Sequence, residues 1–219
     1  MIIAIDGTSA AGKGTLAKSL QAFFKYAYLD TGALYRAVGK KVLDMGEDPT
    51  NEAVAVKVAQ GLSAETMLSL QNDSSIRTEE CGAAASKVSA IPAVRKALFD
   101  FQRNFALNPV FEDGKPANGA ILDGRDIGTV VCPEAEIKLF LIASPEIRAK
   151  RRLKELQEKG ICAIYEDVLN DVKKRDERDS NRAVAPLKPA DDAFILDTSD
   201  LAIDSVFTQV IDFINTKVK

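Results

Sequence analysis

The sequence contains no histidine and no tryptophan, and its 219 residues include only three cysteines. Without histidine, Ser-His-Asp triads and most zinc sites are excluded. Cys81, Cys132 and Cys162 are far apart and form no CxxC pair. They make no disulfide framework and suit reduced thiols, so a cytoplasmic location is expected. No apolar run approaches the roughly 18 residues of a membrane span, and no basic start or cleavage site of a signal peptide is read, so no membrane partner is expected. A net charge of −3 offers no overall basicity for nucleic acid. Hydrophobic content of 46% is enough for a core in one domain-sized chain.

The most informative stretch is Gly7-Thr8-Ser9-Ala10-Ala11-Gly12-Lys13-Gly14-Thr15. It follows the apolar run from Met1 to Ile5 and precedes Leu16, Leu20, Phe23 and Phe24 at helical spacing. Strand, glycine-bounded loop and helix form the context of a phosphate-binding loop. Small residues let backbone N–H groups converge on phosphate oxygens, and the helix N-terminus adds free donors and a positive dipole end. Lys13 can reach the outer phosphates. A plain glycine turn beside an incidental lysine is the bland alternative, and the flanking elements argue against it.

Strand, turn and helix then recur. Ala27 to Asp30 is a predicted strand, Thr31-Gly32 a turn, and Leu34, Val38, Val42 and Met45 the apolar face of a helix ended by Gly46 and Pro49. Further strands are predicted at Ala120 to Asp123, Ile137 to Ala143 and Ala193 to Asp197, and the last precedes an amphipathic helix. This repetition favours a parallel sheet. Between them, Ala53 to Leu62, Thr78 to Ala90 and a segment opened by Pro92 read as helices. Thr66 to Leu70 reads as a short strand, Gln71-Asn72-Asp73 as a turn, and Asn108 to Gly119 as a loop.

Arginine is concentrated late in the chain. Arg148, Arg151 and Arg152 share one face of the helix after Pro145, with Ser144 as candidate N-cap. The next helix starts apolar at Tyr165, Val168, Leu169 and Val172, and its stripe continues as Arg175, Arg178, Asp179 and Arg182. A solvated, salt-bridged surface explains such a run as well as function does. Two facing phosphate chains would explain it better, because each guanidinium grips phosphate oxygens with a planar fork.

On the residues Gly7 to Thr15, Leu29 to Arg36, Asp123 to Val131, Leu156 to Gly160, and Arg175 through Asn181 to Leu187, the sequence resembles the nucleoside monophosphate kinases, and among them the bacterial cytidylate kinases. The resemblance covers nearly the whole chain. It implies an α/β P-loop fold with a central parallel five-stranded sheet flanked by helices, plus an acceptor-binding insertion and a helical lid. The implied core is 1–49 with 119–147 and 184–219, the insertion about 50–118 and the lid about 148–183.

The implied reaction moves the γ-phosphoryl group of ATP to CMP or dCMP. Gly7 to Thr15 would hold ATP, and Lys13, Arg148, Arg151 and Arg152 would be the catalytic cations. Thr31, Arg36, Arg125 and Arg182 resemble contacts to the acceptor phosphate, with Asp123 and Gly124 in the same segment. Ser86, Arg95 and Asp126 resemble the cytosine contacts, and Arg175 and Asp179 the sugar contacts. Mg²⁺ is expected to be held by phosphates and water, because Gly14 stands where many phosphate loops carry a hydroxyl. A monomer is expected. The alternatives are a P-loop hydrolase or switch, which lacks an Asn-Lys-x-Asp guanine motif here, a non-catalytic nucleotide-binding regulator, and a kinase for another small acceptor.

Overall fold

The computed structural model describes residues 1–70, 73–158 and 160–217. Five strands form one parallel sheet: β1 (Ile2–Gly7), β2 (Ala27–Asp30), β3 (Ala120–Asp123), β4 (Ile137–Ile142) and β5 (Phe194–Asp197). Their spatial order is β2-β3-β1-β4-β5. Ile3 lies beside Ile121 and Ile137, and Ile5 beside Asp123 and Leu139, so the chemistry-bearing ends of β1 and β3 are level. The chain leaves β1 toward β2 and leaves β4 toward β5, in opposite directions. That divergence opens a crevice at the C-terminal edge of the sheet, the usual ligand edge of open parallel sheets.

Strand alternation sorts the core into two faces. Ile3 and Ile5 pack with Leu139 and Leu141 under α1 (Lys13–Phe24) and α9 (Ile203–Lys217). Ala4, Leu29 and Leu122 face the other way, onto Phe105 of α6 (Pro92–Leu107). Ile5 is fully buried, and Ile5→Ala would cost about 2–5 kcal/mol.

A second core joins α2 (Thr31–Asp44), α3 (Glu52–Gln60), α5 (Glu79–Val88) and α6 through Leu34, Val38, Val58, Val88 and Leu98. Gly39 lets α2 and α5 touch, since a Cβ there would lie 2.8 Å from the Ala84 Cβ. A third, smaller cluster of Ala149, Leu156, Val168 and Val172 pairs α7 (Pro145–Glu158) with α8 (Tyr165–Ser180).

Thr66 to Leu70 is not the expected strand but part of the helix α4 (Ala64–Leu70). Ser63 decides it: its Oγ accepts from the Thr66 amide at 3.1 Å and its carbonyl from the Met67 amide at 2.9 Å. That N-terminal cap outweighs a five-residue run, apolar only at Met67, Leu68 and Leu70, whose periodicity is ambiguous. The turn expected at Gln71-Asn72-Asp73 falls largely outside the described residues.

Candidate active site

The loop after β1 is shaped by backbone. Gly7 has φ +142°, and a Cβ there would lie 2.0 Å from the Leu141 carbonyl oxygen, so only glycine passes β4 at this point. Gly12, at φ +96°, caps α1 without a side-chain bond, and the first intrahelical bond runs from the Leu16 amide to the Gly12 carbonyl at 3.0 Å. The Lys13, Gly14 and Thr15 amides of the first turn precede it and have no intrahelical acceptor. Lys13 Nζ folds back to donate to the Thr8 carbonyl at 2.8 Å. Burial pushes the Lys13 pKa down, Arg125 adds to this, and Asp123 opposes it. An anion placed here would relieve both costs.

This loop forms one wall of a cleft of about 660 Å³, within the usual size range of ligand sites. Among the described residues lining it are the cations Lys13, Arg36, Arg77, Arg125, Arg151, Arg152 and Arg175, against the carboxylates of Asp30, Glu79, Asp123 and Glu155. The excess of cations is local, since the whole chain is acidic. The far end is apolar, with Leu201, Ile203, Val206 and Phe207 beside β5 and α9.

The arginines opposite Lys13 are held by protein acceptors. Arg36 donates to the Ile76 and Thr78 carbonyls, each at 3.1 Å. Arg125 donates to Asp179 Oδ2 at 2.9 Å and to the Gly124 carbonyl at 3.0 Å. Burial works to raise the Asp179 carboxyl, yet Arg125, Arg175 and Arg182 together hold it below its ordinary value. Two donors are left over: Arg175 Nε and Arg182 Nη2 are buried with no hydrogen-bond partner, although Arg182 Nη2 lies 3.4 Å from Asp179 Oδ1. Burial and then Arg125 push the Arg175 pKa down. Thr31 Oγ1 donates to the Asp123 carbonyl at 2.7 Å, tying α2 to the end of β3. Burial and Asp30 push the Asp123 carboxyl up, against Lys13 and Arg125.

Ser86, Arg95 and Asp126, like Thr31, Asp179 and Arg182, lie outside the cleft lining, and each of the three is buried. Arg95 pairs with Asp126, donates to the Ser89 carbonyl at 3.3 Å and sits 5.5 Å over the Tyr35 ring. The three arginines of α7 part company. Arg151 reaches Thr198 Oγ1 at 3.0 Å, and Arg152 pairs with Glu155 at 2.7 Å and with Glu79 of α5. Arg148 is only 2% exposed; it donates to the Ala143 and Ser9 carbonyls and to Asp176 Oδ1 at 2.9 Å, bracing the loop from α7.

A cytidylate kinase family model matches residues 3–216. The chain belongs to the cytidylate kinase family. It is 57% identical to the cytidylate kinase of Paramagnetospirillum magneticum, over 99% of this chain and 98% of that protein. It is 51% identical to that of Rhodospirillum rubrum, again over 99% and 98%. A solved structure of an uncharacterized protein from Eubacterium ventriosum superposes with TM-score 0.54 at 18% identity, over 99% of this chain and 98% of that one, a likeness of fold.

Cytidylate kinases are phosphotransferases, and this one carries supporting residues that sequence reading did not single out. Asp6, inside the apolar β1, accepts from the Ile127 amide at 2.8 Å and the Gly128 amide at 2.7 Å. It thereby fixes the single π-helical turn Ile127–Val131 that follows Asp126. A lone charge in a strand of a fully covered sheet was the available signal. Thr198 Oγ1 donates to the Ala11 carbonyl at 3.0 Å. Its position just past a parallel strand end was a second signal. Arg77, paired with Asp30 at 2.7 Å, had none.

Proposed function

We propose a division of labour within the reaction of this family, transfer of the ATP γ-phosphoryl group to CMP or dCMP, giving CDP or dCDP and ADP. The amides of Gly7 to Thr15 and Lys13 hold the donor phosphates, and the apolar wall at Leu201, Ile203 and Phe207 takes the donor base. Arg36, Arg125, Arg182 and Thr31 hold the acceptor phosphate, Arg175 and Asp179 its sugar, and Ser86, Arg95 and Asp126 its cytosine. The observation that carries this reading is the buried, unpartnered Arg175 Nε in a cleft whose other wall is the glycine loop.

No general base is needed, because the acceptor is already an ionised phosphate. The task is alignment and charge neutralisation in a site that excludes water. Arg151 and Arg152 line the cleft and balance charge on the transferring group, while Arg148 acts by bracing the loop. Asp126 accepts from the cytosine N4 amino group and would meet the O4 of uracil unfavourably.

A divalent cation fits the donor set. The Thr15 hydroxyl and Asp123 carboxyl are hard oxygens in the cleft lining that would help to hold it, and among the described residues no group of three metal-binding side chains forms a cage of its own. That suits Mg²⁺ held largely by phosphate and water, where it would supply neutralisation of the phosphate oxygens.

Segments 50–118 and 148–183 act as acceptor-binding insertion and lid around the core, and the protein works as a monomer. The three cysteines are free, which suits the cytoplasm, and no helix among the described residues is long and apolar enough to cross a membrane.

ADP release measured with CMP, dCMP, UMP and AMP tests the reading. CMP and dCMP should be the preferred acceptors; equal turnover of AMP or UMP would refute it.

A further inference from the structure

We propose that Arg178 is a positioning residue that sets how Ser86 presents its hydroxyl to the acceptor base. This rests on the reading of Ser86, Arg95 and Asp126 as base contacts and goes beyond it. Arg178 Nε, on α8, donates to Ser86 Oγ, on α5, at 3.1 Å. Ser86 is buried and Arg178 is exposed, so the guanidinium reaches a buried hydroxyl from the solvent side.

A serine hydroxyl has one proton and two acceptor lone pairs. With a lone pair taken by a cation, the proton is released to point elsewhere, and the charge-assisted bond polarises the O–H. Ser86 is thereby fixed as a donor. Cytosine offers acceptors at N3 and O2. Uracil carries a proton on N3, so a fixed donor facing that edge would meet another donor.

The bond is one link of a longer chain. The Ser86 carbonyl accepts from Ser89 Oγ at 3.1 Å, the Ser89 carbonyl from Arg95 Nη1 at 3.3 Å, and Arg95 pairs with Asp126. Arg178 bonds Ser86 directly, and the backbone that carries Ser86 is linked through Ser89 to Arg95 and Asp126. Its neighbour Asp179 holds Arg125 at 2.9 Å on the phosphate side. Two successive residues of α8 fasten the two ends of the acceptor site.

The test is steady-state kinetics with CMP, UMP and ATP on Arg178→Met, Ser86→Ala and the double variant. Arg178→Met should raise KM for CMP about 3- to 10-fold, the loss expected for one such bond, and reduce preference for CMP over UMP. Its kcat and KM for ATP should stay within about twofold. In the Ser86→Ala background the Arg178 change should add nothing, because its partner is gone. Unchanged CMP kinetics in Arg178→Met, beside an impaired Ser86→Ala, would overturn the positioning role and leave the base contacts standing. Additive losses in the double variant would also overturn it. Normal CMP kinetics in Ser86→Ala would overturn the base-contact reading itself, and this inference with it.

Discussion

The two walls of the cleft are built from different material. The proposed donor wall is backbone: one contiguous loop, given its shape by Gly7 and Gly12 and ending at the uncapped start of α1. The proposed acceptor wall is side chains: Arg36 of α2 and Arg125 just past β3, fixed by carbonyls and by Asp179, with Arg175 of α8 beside them. A backbone cradle is rigid because the sheet beneath it is rigid. A guanidinium cradle must be assembled, since each long side chain loses rotamer freedom unless a partner holds it. Asp179 is that partner for Arg125 and Arg182. On the proposed reading, the site holds one nucleotide by covalent geometry and the other by electrostatic balance, so the two halves should fail differently.

The largest effect is expected on the donor side. Lys13→Ala should lower kcat by about 10²–10³-fold, the cost of removing one preorganised charge from a phosphoryl-transfer site, while CMP binding stays close to normal. Near-normal turnover would break the comparison. On the acceptor side, Asp179→Asn should raise KM for CMP about 10- to 100-fold through release of Arg125 and Arg182, with KM for ATP changed less than about threefold. A parallel loss of ATP affinity would mean that the walls are one unit. Asp126→Asn should cost about tenfold in CMP over UMP preference. Selectivity that stays unchanged would remove Asp126 from base reading.

The smallest effect concerns the strut between the walls. Burial raises the Asp6 pKa from 3.8 to about 6. The folded protein then takes up a proton before the unfolded chain does, so Asp6 costs stability above about pH 6, and that cost is relieved as pH falls toward 3.8. Urea midpoints should show wild type gaining on Asp6→Asn between pH 7 and pH 5; parallel behaviour of the two would rule out this titration.

The same contrast explains what could be read without coordinates. The donor wall and the five strands are local features, carried by Gly7 to Thr15 and by short apolar runs, so they were legible. The helix α4 was not, because a five-residue run at Thr66 to Leu70 fits either period and the Ser63 cap decides between them. Ser86, Arg95 and Asp126 were candidates through family resemblance; the contacts that hold them are long-range, as in the Arg95–Asp126 pair and the Arg178–Ser86 bond across 92 positions. Asp6 binds amides 121 and 122 positions away, a pairing no local pattern encodes.

The most direct test is a crystal structure with CMP and a non-hydrolysable ATP analogue bound together. The expected result is the CMP phosphate within hydrogen-bonding distance of Arg36, Arg125 and Arg182, end to end with triphosphate oxygens on Lys13 and the loop amides. A CMP phosphate lying away from those arginines, with the guanidinium groups still closed on Asp179, would contradict it.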